Sequence, residues 1–174
     1  MKRHEVETAL KAAERVARDS EFFLIGSQAV HAACDHPPAE VLLSQECDLY
    51  PRNFPQAAPL LDRELGRNSV FARKNGFYVD CVTPEIANLP DGWEKRLKPL
   101  RVGRITAYCL EVHDLLASKL VAARVKDLEL TGALLKLDLV RIRTLRARIE
   151  KLLPSAVSAR AHAALKVVLR EIRE

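Results

Sequence analysis

No apolar run in this 174-residue chain approaches the roughly 18–20 residues that a membrane-spanning helix needs. The chain opens on Met1-Lys2-Arg3-His4-Glu5 and a charged helical pattern, where an exported protein would carry an apolar leader. A cytoplasmic location with no membrane partner is the expectation. The four cysteines, Cys34, Cys47, Cys81 and Cys109, form no Cys-x-x-Cys pair and have no histidines at zinc spacing. They read as structural thiols, three of them inside apolar segments. Internal repeats and low-complexity tracts are missing as well. What remains is an ordinary globular balance, 48% hydrophobic and 29% charged. The length suffices for one core with an appended helical lobe.

The net charge of +5 is unevenly spread. Residues 141–174 hold nine Lys/Arg against three Asp/Glu, leaving the preceding part near neutral. Such a lobe either attracts a polyanion or is simply a solvated Arg-rich helical face.

Along the chain, Val6, Leu10, Ala13, Val16 and Ala17 mark an amphipathic helix over 4–18. Phe22-Phe23-Leu24-Ile25 reads as a buried strand, ended by Gly26-Ser27 and a helix over 27–33. Glu46-Cys47-Asp48-Leu49-Tyr50 alternates as a strand does, and a helix is expected over 55–65. Asn75-Gly76 predicts a hairpin joining antiparallel strands over 70–72 and 77–82. A further strand over 105–112 precedes a change of character. Asp114 is the expected cap of a helix running on through Lys119 toward Asp127, with Lys119 and Lys126 on one face. Ile142, Leu145, Ile149 and Leu152 mark another helix, and Ala161 to Ile172 the last. The order predicts an α+β fold, a small mixed sheet flanked by helices. Residues 1–112 form the α/β core and 113–174 a helical lobe packed on it as one compact unit.

Carboxylates at i and i+2 of a strand share a face. Glu46 and Asp48 therefore project together, with Cys47 toward the core. Such a pair is either the wet face of a strand or the holder of a divalent cation. Asp80, a charge within Phe77-Tyr78-Val79-Asp80-Cys81-Val82, is either an edge-strand charge or a third carboxylate, serving as a base or completing the metal site. Gly26 permits close backbone approach, and Ser27 offers a hydroxyl and an N–H to an anion. Lys119 either snorkels from an apolar helix or binds phosphate. Arg124 and Asp127, at i and i+3, can pair.

Taken in order, Phe23-Leu24-Ile25-Gly26-Ser27-Gln28-Ala29-Val30, Glu46-Cys47-Asp48-Leu49-Tyr50-Pro51 and Asp114 through Lys119 to Arg124-Val125-Lys126-Asp127 resemble the nucleotidyltransferase superfamily. The resemblance is to a bacterial nucleotidyltransferase-like family related to AbiEii- and MenA-type toxins, and it spans about residues 20–135. It implies the nucleotidyltransferase fold, with Gly26, Ser27, Lys119, Arg124 and Lys126 binding an NTP. Glu46, Asp48 and Asp80 would be the catalytic acids holding Mg²⁺. The implied reaction is nucleotidyl transfer to a hydroxyl of RNA, a protein or a small molecule, the basic C-terminal lobe receiving an RNA or protein acceptor. The alternatives are a catalytically degenerate module that binds nucleotide or RNA, and a toxin–antitoxin component. Two features depart from the active pattern: Glu46 stands where Asp is usual, and the stretch between Ser27 and Glu46 is long and contains Pro37-Pro38.

Overall fold

A computed structural model of the chain describes residues 1–172. Arg173, one of the C-terminal cations, lies outside the described residues. Helix α1 (Arg3–Ala17) buries Val6, Ala9, Leu10, Ala13 and Ala17, the stripe that its 3.6-residue period dictates. It stops at Arg18 in the left-handed region, φ 53°. Asp19 follows, 1% exposed. Its carboxylate accepts the backbone N–H groups of Glu21 (2.9 Å), Asn53 (2.8 Å) and Phe54 (3.1 Å), pinning the start of one strand to the end of another.

Five strands form one mixed sheet in the order β3-β2-β1-β5-β4. These are β1 (Glu21–Leu24), β2 (Glu46–Pro51), β3 (Tyr78–Cys81), β4 (Lys98–Val102) and β5 (Ile105–Cys109). β1 runs antiparallel to β2 and parallel to β5; β2 and β3 are parallel; β4 and β5 form an antiparallel hairpin. Alternation sorts the faces. Phe22, Leu24, Cys47, Leu49, Ala107 and Cys109 are fully buried, while Phe23, Glu46, Asp48 and Tyr108 look to the other, half-open side. Cys47 thus takes the core side, and all four cysteines are free thiols.

The remaining helices are α2 (Ala39–Leu42), α3 (Ala58–Leu65), α4 (Val70–Asn75), α5 (Val112–Ala122), α6 (Val125–Lys136), α7 (Ile142–Ile149) and α8 (Ser155–Glu171). The fold is α+β, as the order of elements implied. One core of buried side chains extends from Val6 on α1 to Leu165 and Val168 on α8.

Several local expectations are overturned. Val70 to Ala72 is not a strand: Ser69 Oγ accepts the Ala72 N–H (3.0 Å) and starts α4. Asn75-Gly76 ends that helix, Gly76 sitting at φ 78° as a left-handed C-cap. The same dipeptide chemistry serves a hairpin turn and a helix stop, so β3 pairs with β2 in parallel and has no hairpin partner in residues 70–72. The helix expected over 27–33 is present as a 3₁₀ helix over Ser27–Ala32. Asp114 is not a cap. Glu111 caps α5, accepting the His113 N–H at 3.1 Å. Asp114 lies buried in the first turn, paired with Arg96 (2.7 Å) and Arg148 (3.1 Å).

Candidate active site

The β2–β3 ladder builds the acidic part of the site. Its parallel register sets Asp48 opposite Asp80 and Glu46 opposite Tyr78. Glu46 and Asp48 share a face because they are two residues apart, and Asp80 joins them from the neighbouring strand. One carboxylate oxygen from each of Glu46, Asp48 and Asp80 lies within 4.8 Å of the others. Glu46 and Asp48 are half-buried and Asp80 is exposed on the edge strand.

Gly26 is fitted to Asp48. A Cβ on residue 26 would fall 1.4 Å from Asp48 Oδ2 and 2.9 Å from Asp48 Cβ. Only a glycine lets the chain cross this carboxylate, while the Ile25 N–H bonds the Asp48 carbonyl at 3.0 Å. Ser27 follows, 8% exposed, and starts the 3₁₀ turn.

Electrostatics separates the three acids. Burial and then the charge of Glu46 push Asp48 up to about 6, Asp80 adding to the shift and Lys119 opposing it. Asp80 is also raised, by burial and by Asp62 and Glu46. Among the described residues, no donor hydrogen-bonds either carboxylate to favour its charged form. Glu46 differs. Burial works against its charge, but Lys126, by hydrogen bond and by charge, and the Tyr78 hydroxyl hold it below the usual range. Lys126 Nζ pairs with Glu46 Oε1. Tyr78 Oη donates to Glu46 Oε2 at 3.3 Å and in turn accepts from Arg67 Nη2 at 2.7 Å.

The cationic wall comes from α5 and α6. The expected single helix through Lys119 and Lys126 is broken: Ala123 takes φ 49°, Arg124 is extended, and α6 starts at Val125. Lys119 and Lys126 therefore reach the site from successive helices. Asp127, fully buried, holds the corner. Its carboxylate accepts Lys119 Nζ (3.1 Å), Arg124 Nε (2.8 Å) and the Arg124 backbone N–H (3.3 Å). Burial opposes the Asp127 charge, but Arg124 and Lys119 hold its carboxyl below the usual range.

Gly26, Ser27, Glu46, Asp48, Asp80, Lys119, Arg124 and Lys126 all line one cleft of about 300 Å³ between the sheet and the α5–α6 corner. Among the described residues, no Lys or Arg of 141–172 lines it, and Arg148 instead turns inward to Asp114. Sequence reasoning missed Asp127 as the anchor of two cations and Tyr78 as a partner of Glu46. The i, i+3 spacing of Arg124 and Asp127 was a signal for the first; only the β2–β3 register reveals the second.

The acidic cluster suits a divalent cation. Two carboxylates without donors among the described residues, both pushed toward protonation by burial and by neighbouring acids, make a negative centre that a hard cation with oxygen ligands would satisfy.

A family model described as "nucleotidyltransferase of unknown function (DUF6036)" matches residues 10–173. No curated protein and no solved structure matches the chain.

Proposed function

The chain belongs to the family of nucleotidyltransferases of unknown function, which spans residues 10–173, and on that premise we propose that it moves a nucleotidyl group from an NTP to a hydroxyl acceptor. The observation that carries this reading is the convergence, in one cleft, of three carboxylates within 4.8 Å with a wall of Lys119, Arg124 and Lys126.

Asp48 and Asp80, with Glu46, would hold Mg²⁺, which when bound polarises the reacting phosphoryl oxygens and offsets the charge that develops on them. Lys119 and Arg124, fixed by Asp127, supply cationic donors to the phosphate tail, and Ser27 adds a hydroxyl at the glycine turn. Asp80, the most exposed of the three acids, is the base for the acceptor hydroxyl: it takes the proton as the new phosphoester bond forms and pyrophosphate leaves. The acceptor belongs to RNA, a protein or a small molecule.

A module that binds nucleotide without transferring it is the second reading, favoured by Glu46, whose two oxygens are already taken by Lys126 and Tyr78. Incubation with each α-³²P-labelled NTP, Mg²⁺ and cell lysate separates the two. Label transfer that disappears in Asp48→Asn supports the transferase. Nucleotide binding without transfer to any lysate component supports the module.

A further inference from the structure

Glu46 stands apart from the other two acids because both of its oxygens are occupied. Oε2 is held by the Tyr78 hydroxyl, itself fixed by Arg67 from the outer edge of the sheet. Oε1 is paired with the ammonium of Lys126. Among the described residues, no side chain holds Asp48 or Asp80 in this way. A lysine ammonium has donors and no acceptor, so it cannot share an oxygen's free direction with a cation; it competes for it. Lys126 is also the one of the three cleft cations whose carboxylate partner is not fully buried. It sits in the first turn of α6, its side chain is 55% exposed, and among the described residues its anionic partner is Glu46. Lys119 and Arg124, by contrast, are tied to the fully buried Asp127.

We propose that Lys126 is an exchanging cation: it neutralises Glu46 while the site is empty and passes to a phosphate of the nucleotide when a divalent cation takes its place at Glu46 Oε1. The proposal rests on the reading of the cleft as a metal–nucleotide site and names how its two ligands are coupled. Tyr78 and Arg67 keep Glu46 aimed into the cleft during the exchange, so only one oxygen changes partner. The consequence is a linkage. Each ligand removes a competitor of the other, and the coupling must be equal in both directions.

The test uses the full chain with Mn²⁺ as probe, read by electron paramagnetic resonance, and a non-hydrolysable NTP analogue read by calorimetry. In Lys126→Met, Mn²⁺ alone should bind about three- to fivefold tighter, the scale of losing a partly exposed ion pair. The analogue, in the presence of Mn²⁺, should bind about tenfold more weakly, having lost a charged donor. Lys126→Arg should restore both toward wild type. A lysine that only binds phosphate would leave Mn²⁺ affinity unchanged, and a structural one would weaken both; either result overturns the exchange while leaving the metal site standing. If wild type binds no Mn²⁺ that Asp48→Asn abolishes, the metal–nucleotide reading itself fails, and the exchange with it.

Discussion

At Asp48 a carboxylate is kept in a place that disfavours its charge. Its pKa is raised from 3.8 to about 6 by burial and by Glu46. The metal-free folded chain therefore binds the proton more tightly than the unfolded chain, and Asp48 costs stability as the pH rises from about 4 through 6. Asp48→Asn should accordingly raise Tm in EDTA at pH 8 by about 6–12 °C, about two pKa units at about 1.4 kcal/mol each and roughly 2–4 °C per kcal/mol in a chain of this size. The gain should shrink as the pH falls toward 4. The same variant should lose the Tm increase that Mn²⁺ gives the wild type, as expected where a functional charge is held against stability. Scanning calorimetry across pH, with and without Mn²⁺, reads both; a variant less stable than wild type at pH 8 would count against the destabilised carboxylate. Gly26→Ala probes the same residue from outside. Its methyl would displace the Asp48 carboxylate, so Mn²⁺ affinity should fall at least about tenfold, with stability changed by about 1–3 kcal/mol, the range for overpacking. Equilibrium unfolding and Mn²⁺ titration of one preparation separate these effects. The shared face of Glu46 and Asp48 was legible in the sequence from strand alternation alone, whereas the crossing of Gly26 over Asp48 depends on the pairing of β1 with β2. That Glu46 is partnered and Asp48 is not was illegible, because Lys126 lies 80 positions away.

The element that decides the cationic wall is the corner between α5 and α6. Ala123 adopts a left-handed conformation there, which costs an L-residue roughly 1–2 kcal/mol. Asp127 offsets that cost by gathering Lys119, Arg124 and the Arg124 N–H on one buried carboxylate. Removing it leaves Lys119, only 15% exposed, without its partner. Asp127→Asn should therefore cost about 3 kcal/mol in urea unfolding at pH 7, at the lower end for breaking a buried pair. Because the Asp127 carboxyl is held below its usual 3.8, its stabilising contribution is fully present above that value. It is lost as the pH falls through the lowered folded-state value. The gap between wild type and variant should therefore close in acid, and a gap that persists at pH 2 would assign the effect to packing and not to charge. The corner also shows why element boundaries escaped the sequence. Nothing in Ala-Ala-Arg breaks a helix by propensity, so the break comes from tertiary pairing. Asn75-Gly76 was read as a hairpin turn and instead ends a helix, since left-handed glycine closes helices and hairpins alike.

On the scale of the whole molecule, α5 is the element that both halves need. Val112, Leu115, Leu116, Ala117, Leu120 and Val121 are buried around its circumference, a pattern of a core helix and not of a surface one. It packs against the 3₁₀ turn of the site on one side and α6, α7 and α8 on the other. Asp114, in its first turn, is fully buried between Arg96, just ahead of β4, and Arg148 of α7. A boundary at residue 112 thus falls at the edge of shared packing. Residues 1–112 alone would leave the apolar surface that α5 covers open to water, at roughly 25 cal/mol per Å². That fragment should not fold by itself: its amide NMR spectrum should be undispersed and its near-ultraviolet circular dichroism flat. The intact chain should unfold in one transition, with Trp93 fluorescence, which reports the sheet side through its edge contact with Phe23, coinciding with the far-ultraviolet signal dominated by the helices. Asp114→Ala should shift both curves together by about 3 kcal/mol, because it strands two arginines in different parts of one cooperative unit. Two separated transitions, or a dispersed spectrum from the fragment, would instead make the α/β part a domain that carries its three clustered carboxylates independently of the cations facing them.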